Sequence, residues 1–179
     1  LIVFQYPMIS GLGYPFDTLF SLFDAVPSIR ALKDWSNDAM LHERHIRTFQ
    51  SLPRPVNVLT THSSWLMASL CMGANGLLSG AGSVIADLQV ALFRAVKAGD
   101  LKLAQSINDR IFPLAQVFYA PPFLDMHNRM KECLVLLGRI SQAHVRPPLI
   151  KLTQAEIDGL QQALTQAGVT REPAYATAA

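Results

Sequence analysis

The sequence predicts a parallel α/β fold followed by a helical C-terminal region, and three observations predict it. Four short apolar runs bounded by turn residues alternate with helical patterns, at a spacing of about 25 residues, as far as Lys97. From Pro55 to Ala86 there is no Asp, Glu, Lys or Arg, yet Asn57, Thr60–Ser64 and Gly73–Gly76 divide this stretch into strand, helix and strand. That is the pattern of a buried parallel sheet with a covering helix, not of a membrane span. Beyond Lys97 the apolar residues recur only at helical spacing.

The elements follow in order. Residues 1–6 are a near-continuous apolar run ending in Tyr6, as in a strand buried on both faces. Pro7 and Gly11-Leu12-Gly13 make a loop, and Pro15 precedes a helix with Leu19, Phe20, Leu22 and Phe23. Ser28–Lys33 reads as the second strand, and Ser36, Asn37 or Asp38 can cap the helix that follows to Leu52. Val56–Thr60 is a third strand, Trp65–Met72 an apolar helix, and Gly76–Ser79 a short fourth strand. Gly80-Ala81-Gly82-Ser83 reads as a tight strand-to-helix turn, with backbone anion binding as the weaker alternative. Ile85, Leu88, Leu92 and Val96 then share a helical stripe. In the C-terminal region a helix opens at Asp100 and Pro113 should kink it, and Pro121-Pro122 forces a break before a helix from Met126 to Leu137. Thr153-Gln154-Ala155-Glu156 is a capping box opening the last helix, and the tail from Thr170 is small or polar.

Composition narrows the function classes. At 179 residues, half of them apolar and 16% charged, the chain can form a sizeable core. A net charge of +2 without any Lys/Arg run longer than two leaves no footprint for nucleic acid or an anionic membrane surface. The opening Leu1-Ile2-Val3-Phe4 has no charged n-region and reads as strand, not as a signal peptide. Cys71 and Cys133 have no CxxC or Cys/His spacing for zinc and are expected as reduced core residues of a cytoplasmic protein.

Lys33 is the residue that most needs a reason. A lysine ending an apolar strand is either an edge residue whose ammonium snorkels to solvent, or an amine kept partly neutral by desolvation so that it can attack a carbonyl.

Taken together, four features resemble the dihydrodipicolinate synthase/N-acetylneuraminate lyase family. Tyr6 and Lys33 lie 27 residues apart, each at the end of an expected strand. Gly73-Ala74-Asn75-Gly76-Leu77-Leu78-Ser79 is similar to the family's eighth-strand motif, and Arg146-Pro147-Pro148-Leu149 to its C-terminal linker. The resemblance covers nearly all of residues 1–167 and implies the second half, strands 5–8, of a (β/α)8 TIM barrel. It implies residues 1–97 as that half-barrel, 98–169 as a helical extension and 170–179 as a disordered tail. Lys33 is then the Schiff-base lysine, with no cofactor beyond that covalent link, and Tyr6 the proton shuttle. Thr61, Ser79 and Leu78 are the candidates for contacting a 2-oxo acid substrate, with strand-end capping the alternative for the two hydroxyls. The implied reaction is dehydration or aldol cleavage of a 2-oxo-3-deoxy sugar acid. The alternatives are a dihydrodipicolinate synthase-type condensation of pyruvate with an aldehyde, or a non-catalytic ligand-binding or oligomerisation module. The implied partners are a complementing N-terminal half-barrel, in the same longer chain or another one, and further copies in a homo-tetramer.

Three places depart from the family pattern. Tyr6 is followed directly by Pro7, the loop Met8–Gly13 has no arginine to hold an aldehyde's carboxylate, and Thr60-Thr61-His62 replaces a Gly-Asp-Asp-like turn. The missing arginine favours the sugar-acid branch. His62 reads as a loop or helix-cap residue, and nothing resembles the family's Gly-x-x-Gly-Glu carboxylate-binding loop.

Overall fold

Alternation along each strand sorts the side chains of this chain onto two unlike faces. The computed structural model describes residues 1–171, and β1 (Ile2–Gln5), β2 (Ala31–Asp34), β3 (Asn57–Thr60) and β4 (Gly76–Leu77) form one parallel sheet in the order β1-β2-β3-β4. The register sets Val3, Leu32 and Val58 in one row and Gln5, Asp34, Thr60 and Leu77 in another, both on one face. Phe4, Lys33, Leu59 and Gly76 form the intervening row on the opposite face. Leu32, Val58, Gln5, Asp34 and Thr60 are fully buried, whereas Phe4, Lys33 and Leu59 are half-buried. One face is therefore sealed and the other partly open.

The strands are shorter than the apolar runs suggested. β1 stops at Gln5, leaving Tyr6 just past its end, and β4 stops at Leu77. β2 starts at Ala31, because Ile29 is drawn into a turn by its N–H bond to the Val26 carbonyl, and it runs one residue past Lys33.

The crossover helices are α1 (Phe16–Ala25), α2 (Ala39–Phe49) and α3 (Leu66–Cys71). Pro15 sits at the N-cap of α1, and Asp38 caps α2 by accepting the Leu41 N–H at 3.0 Å. Phe23 of α1 meets Phe49 of α2 edge-on at 4.8 Å, and Phe16 stacks on Phe49 at 5.1 Å. Gln5 clamps the loop before α1 by accepting the Tyr14 N–H and donating to the Tyr14 carbonyl. Cys71 is exposed, contrary to expectation, because the buried stripe of the short α3 is Leu66, Ser69 and Leu70. Cys133 is buried, and burial, helped by Glu132, pushes its thiol up to about 12.

The described residues form two compact units, Leu1–Ser79 with Phe93–Asp100, and Gly80–Leu92 with residues 101–171. Helix α4 (Gly82–Lys97) contributes to both and is broken at Ile85, which has φ −125° and ψ 40°. In the second unit α5 (Leu101–Phe118) packs against α6 (Met126–Leu136) and α7 (Gln154–Gln166). Its core is Ile107, Ile111, Leu114 and Phe118 of α5 with Met130, Cys133, Leu160 and Leu164. Pro113 lies inside α5 without ending it: the carbonyl it orphans belongs to exposed Asp109, which water can serve, and the buried stripe continues on both sides. The capping box of α7 is formed, with Thr153 Oγ1 accepting from Glu156 N and Thr153 N donating to Glu156 Oε2. No helix among the described residues is long and apolar enough to cross a membrane. Residues 172–179 of the expected tail lie outside the described residues.

Phe49 sits at the centre of the α1–α2 contact with no exposed surface. Phe49→Ala is expected to lower unfolding stability by about 3–5 kcal/mol in urea melts, through lost burial and a cavity.

Candidate active site

Lys33 and Asp34 are consecutive at the end of β2, so the pleat sends them to opposite faces. On the sealed face the Asp34 carboxylate, with no exposed surface, is held from three sides. Its Oδ2 accepts from His42 Nδ1 at 2.8 Å and from His45 Nδ1 at 2.7 Å, and its Oδ1 from the Ser36 N–H at 2.8 Å. Burial alone would raise the Asp34 carboxyl. The hydrogen bonds and charges of His42 and His45 outweigh it and hold the group well below the usual carboxylate range. An ionised carboxylate only accepts, so both Nδ1 atoms carry protons. His42 Nε2 pairs with the Ser69 hydroxyl at 2.7 Å, while His45 Nε2 is buried with no hydrogen-bond partner among the described residues, its ring beside the stacked pair of Phe16 and Phe49.

His62 completes this cluster from the N-cap position of the 3-10 turn Ser63–Trp65, the loop or cap position that the sequence suggested. It is 1% exposed, makes no side-chain cap bond, and its Nε2 accepts the N–H of Asn37, which lies at φ +54°. It stacks on Trp65 at 4.1 Å and meets His42 edge-on at 4.7 Å. Burial lowers its pKa to about 4, Asp34 opposing that shift and His42 and His45 adding to it.

Two chemical uses of the cluster can be tested on its geometry. Asp34, His42 and Ser69 follow the distances of a Ser-His-Asp triad, but each has no exposed surface, so no carbonyl can reach the serine. Asp34, His42 and His62 offer ligand atoms within 4.8 Å of one another. Tetrahedral zinc draws its ligand atoms to about 3.4 Å apart. Here both Asp34 oxygens and His62 Nε2 are already committed to N–H donors. The cluster is a hydrogen-bonded anchor for the carboxyl end of β2.

On the half-open face the Lys33 amine lies 4.1 Å from the centre of the Phe4 ring, and burial lowers its pKa. The Tyr6 ring is 4.3 Å from Phe4 and 5.3 Å from Trp35, so Lys33 and Tyr6 both border the same phenyl ring. Ser79 Oγ pairs with Ser63 Oγ at 2.7 Å, and Leu78, whose N–H extends the ladder to the Thr60 carbonyl, is 39% exposed. Thr61 is half-buried after β3, its N–H bonded to the Asp34 carbonyl. Sequence reasoning missed Asp34, His42, His45 and Trp35. The detectable signal was His42 and His45 on the same helical stripe as Ile46 and Phe49, a pair of imidazoles where only apolar residues were expected.

The fold and site define a parallel strand–helix sheet with a partly desolvated lysine near one strand's carboxyl end. The chain belongs to the dihydrodipicolinate synthetase family, whose family model matches residues 1–167. It is 26% identical over 168 residues to the putative 2-dehydro-3-deoxy-D-gluconate aldolase YagE of Escherichia coli K12, covering 93% of this chain and 54% of that protein. It is 25% identical over 168 residues to the 4-hydroxy-tetrahydrodipicolinate synthase of Neisseria meningitidis FAM18, covering 94% and 55%. A monomeric dihydrodipicolinate synthase variant superposes with a TM-score of 0.83 at 18% identity, covering 94% of this chain and 55% of that one. The structure of YagE in complex with pyruvate gives 0.81 at 24% identity, covering 94% and 56%. The chain thus spans about half the length of the curated relatives it matches.

His62 binds a proton in the unfolded chain near pH 6.5 but in the folded one only near pH 4, so the unfolded state binds more protons between those values. Stability therefore falls on acidification through that window, by roughly 3 kcal/mol at 1.36 kcal/mol per pH unit. His62→Gln, whose amide oxygen can still accept from Asn37, should flatten this slope in urea melts at pH 7, 5.5 and 4.5. Asp34→Ala, which leaves two buried imidazole N–H groups unpaired, should cost about 3–5 kcal/mol at pH 7.

Proposed function

We propose that this chain is part of a lysine Schiff-base lyase acting on a 2-oxo acid, with Lys33 as the nucleophile and Tyr6 as the proton carrier. The observation that carries this is the Lys33 amine: desolvated, on the half-open face, and sharing the Phe4 ring with Tyr6. A lowered pKa leaves more of the amine neutral and nucleophilic at neutral pH.

Lys33 Nζ adds to the C2 ketone, and the carbinolamine hydroxyl departs as water with a proton from Tyr6, leaving an iminium that draws electrons toward C2 and a Tyr6 phenolate. In aldol cleavage the C4 hydroxyl gives its proton to that Tyr6 oxygen as the C3–C4 bond breaks, and that electron pair becomes the enamine, which is then protonated at C3. In dehydration the Tyr6 oxygen takes a C3 proton to give the enamine, whose electron pair expels the C4 hydroxyl as water with that proton, leaving a conjugated iminium. In both routes water hydrolyses the iminium and releases the product and free Lys33.

The finer substrate we propose is a 2-oxo-3-deoxy sugar acid, with Thr61 and Ser79 offering hydroxyls and Leu78 an apolar contact. The name of YagE, and that of the related probable 2-dehydro-3-deoxy-D-pentonate aldolase YjhH of E. coli K12, support this choice. Condensation of the dihydrodipicolinate synthase type is the second reading, supported by the 4-hydroxy-tetrahydrodipicolinate synthase relatives. Against it, Met8–Gly13 next to Tyr6 carries no cationic side chain for an acidic aldehyde. The four strands correspond on this proposal to strands 5–8 of an eight-stranded barrel. A complementing half-barrel then covers the face on which Ile2 and Leu78 are exposed and Phe4 and Leu59 half-buried. This chain alone is accordingly proposed to be inactive, and the assembled enzyme to be a homo-oligomer.

Borohydride reduction of the full-length protein with pyruvate is expected to fix a reduced pyruvyl group on Lys33, located by peptide mass mapping. Lys33→Ala should abolish the adduct, and Tyr6→Phe should lower turnover by about 10²–10⁴-fold while the protein stays folded. A full-length protein that gives no adduct, or gives it in Lys33→Ala, excludes the mechanism.

A further inference from the structure

We propose that Phe4 is a catalytic residue of this site: the face of its ring holds the positive charge that appears when Lys33 forms its iminium. The proposal rests on the Schiff-base reading of Lys33 and deepens it by naming the group that meets the charged intermediate.

The sheet sets the two side chains against each other. Phe4 of β1 and Lys33 of β2 are register partners on the half-open face, where neighbouring strands run about 4.8 Å apart. Leu59 of β3 is the other register partner of Lys33, so the lysine has a phenyl on one side and an aliphatic chain on the other. Its amine lies over the phenyl, with Nζ 4.1 Å from the ring centre. Phe4 is itself packed in place: the Tyr6 ring is 4.3 Å away and the Trp35 ring 6.5 Å. Phe4 and Lys33 are both half-buried, so a charge on Nζ meets the ring with part of its water removed.

The charge balance of the covalent step decides what the ring does. A neutral amine and an uncharged ketone take up one proton, the C2 oxygen leaves as water, and one positive charge stays spread over Nζ and C2. The face of an aromatic ring carries negative potential. It attracts a cation within about 6 Å of its centre, more strongly when the cation is desolvated. The ring therefore favours the iminium over the uncharged amine and ketone that precede it, which is differential binding of the kind that accelerates a step. It also attracts the ammonium of the resting protein, but less. An ammonium is compact and strongly hydrated, whereas the iminium has exchanged N–H groups for carbon and gives up less water to reach the ring.

The test uses the full-length protein and pyruvate. Phe4 is replaced by phenylalanines carrying one, two or three ring fluorines, which keep nearly the same size while draining the negative face stepwise. Borohydride trapping on Lys33 is followed against pyruvate concentration across about pH 6–10, which separates a shifted Lys33 titration from a changed plateau. The pyruvate concentration for half-maximal trapping is expected to rise with each fluorine and to reach about tenfold with three. Phe4→Leu, which keeps apolar contact without a π face, should match the three-fluorine protein within about threefold. A flat response to fluorination, or unchanged trapping in Phe4→Leu, overturns the role of Phe4 and leaves Lys33 standing. No adduct in the unsubstituted protein overturns the Schiff-base reading and this proposal together. If Phe4→Leu does not fold, the near-isosteric fluorinated series decides alone.

Discussion

One carboxylate, that of Asp34, fixes the end of the central strand. It has no exposed surface, and it receives hydrogen bonds from two imidazoles of α2 and from a backbone N–H of the turn leading to that helix. A buried charge is tolerated only when it is fully paired, and once paired it is hard to displace. β2 is thereby tied to the helix behind it, and because neighbouring residues on a strand point opposite ways, Lys33 is turned to the other face. The carboxylate does none of the proposed chemistry. It determines where the amine is.

The same alternation explains why the two faces differ in kind. Behind the sheet, Leu32 and Val58 meet the apolar stripes of the helices, and the polar members of that face, Gln5, Asp34 and Thr60, lie in the row nearest the strand ends with partners of their own. In front, Phe4, Lys33 and Leu59 keep some exposure, the amine lies over the Phe4 ring, and Tyr6 and Trp35 pack near that ring. Burial on this face withdraws water from Lys33, and desolvation is what lowers its pKa. A carboxylate on that side would have done the opposite, holding the ammonium charged and poorly nucleophilic.

Much of this was legible in one dimension. The alternation of apolar runs and helical patterns called for a parallel sheet, and the motifs at Tyr6, Lys33, Gly73–Ser79 and Arg146–Leu149 led to the family that the match over residues 1–167 shows. Boundaries were less legible, because a strand ends where its neighbour stops pairing: β2 gained Asp34 from the ladder to β1 and β3, and Ser28 and Ile29 belong to the turn from Val26. Cys71 was misjudged because an apolar helix six residues long buries one stripe and not its whole circumference. His62 does sit at the cap position read from the sequence, but its burial was not legible, because only the approach of Asn37 and Trp65 encloses it.

What the sequence by itself determined is what local chemistry dictates: the period of the apolar residues, the capping box at Thr153, a cap among Ser36, Asn37 and Asp38, the breaks at proline and glycine, and a lysine near a strand's end. What only the tertiary structure decided is which groups from distant positions share a dielectric environment. His42, His45, Ser69 and His62 come from three segments to surround one strand end, and no spacing announces that they converge. The physical reason is that a side chain's protonation and pairing depend on water being excluded by residues far away in the chain. The sequence names the lysine, and the packing around it sets whether its nitrogen carries a proton.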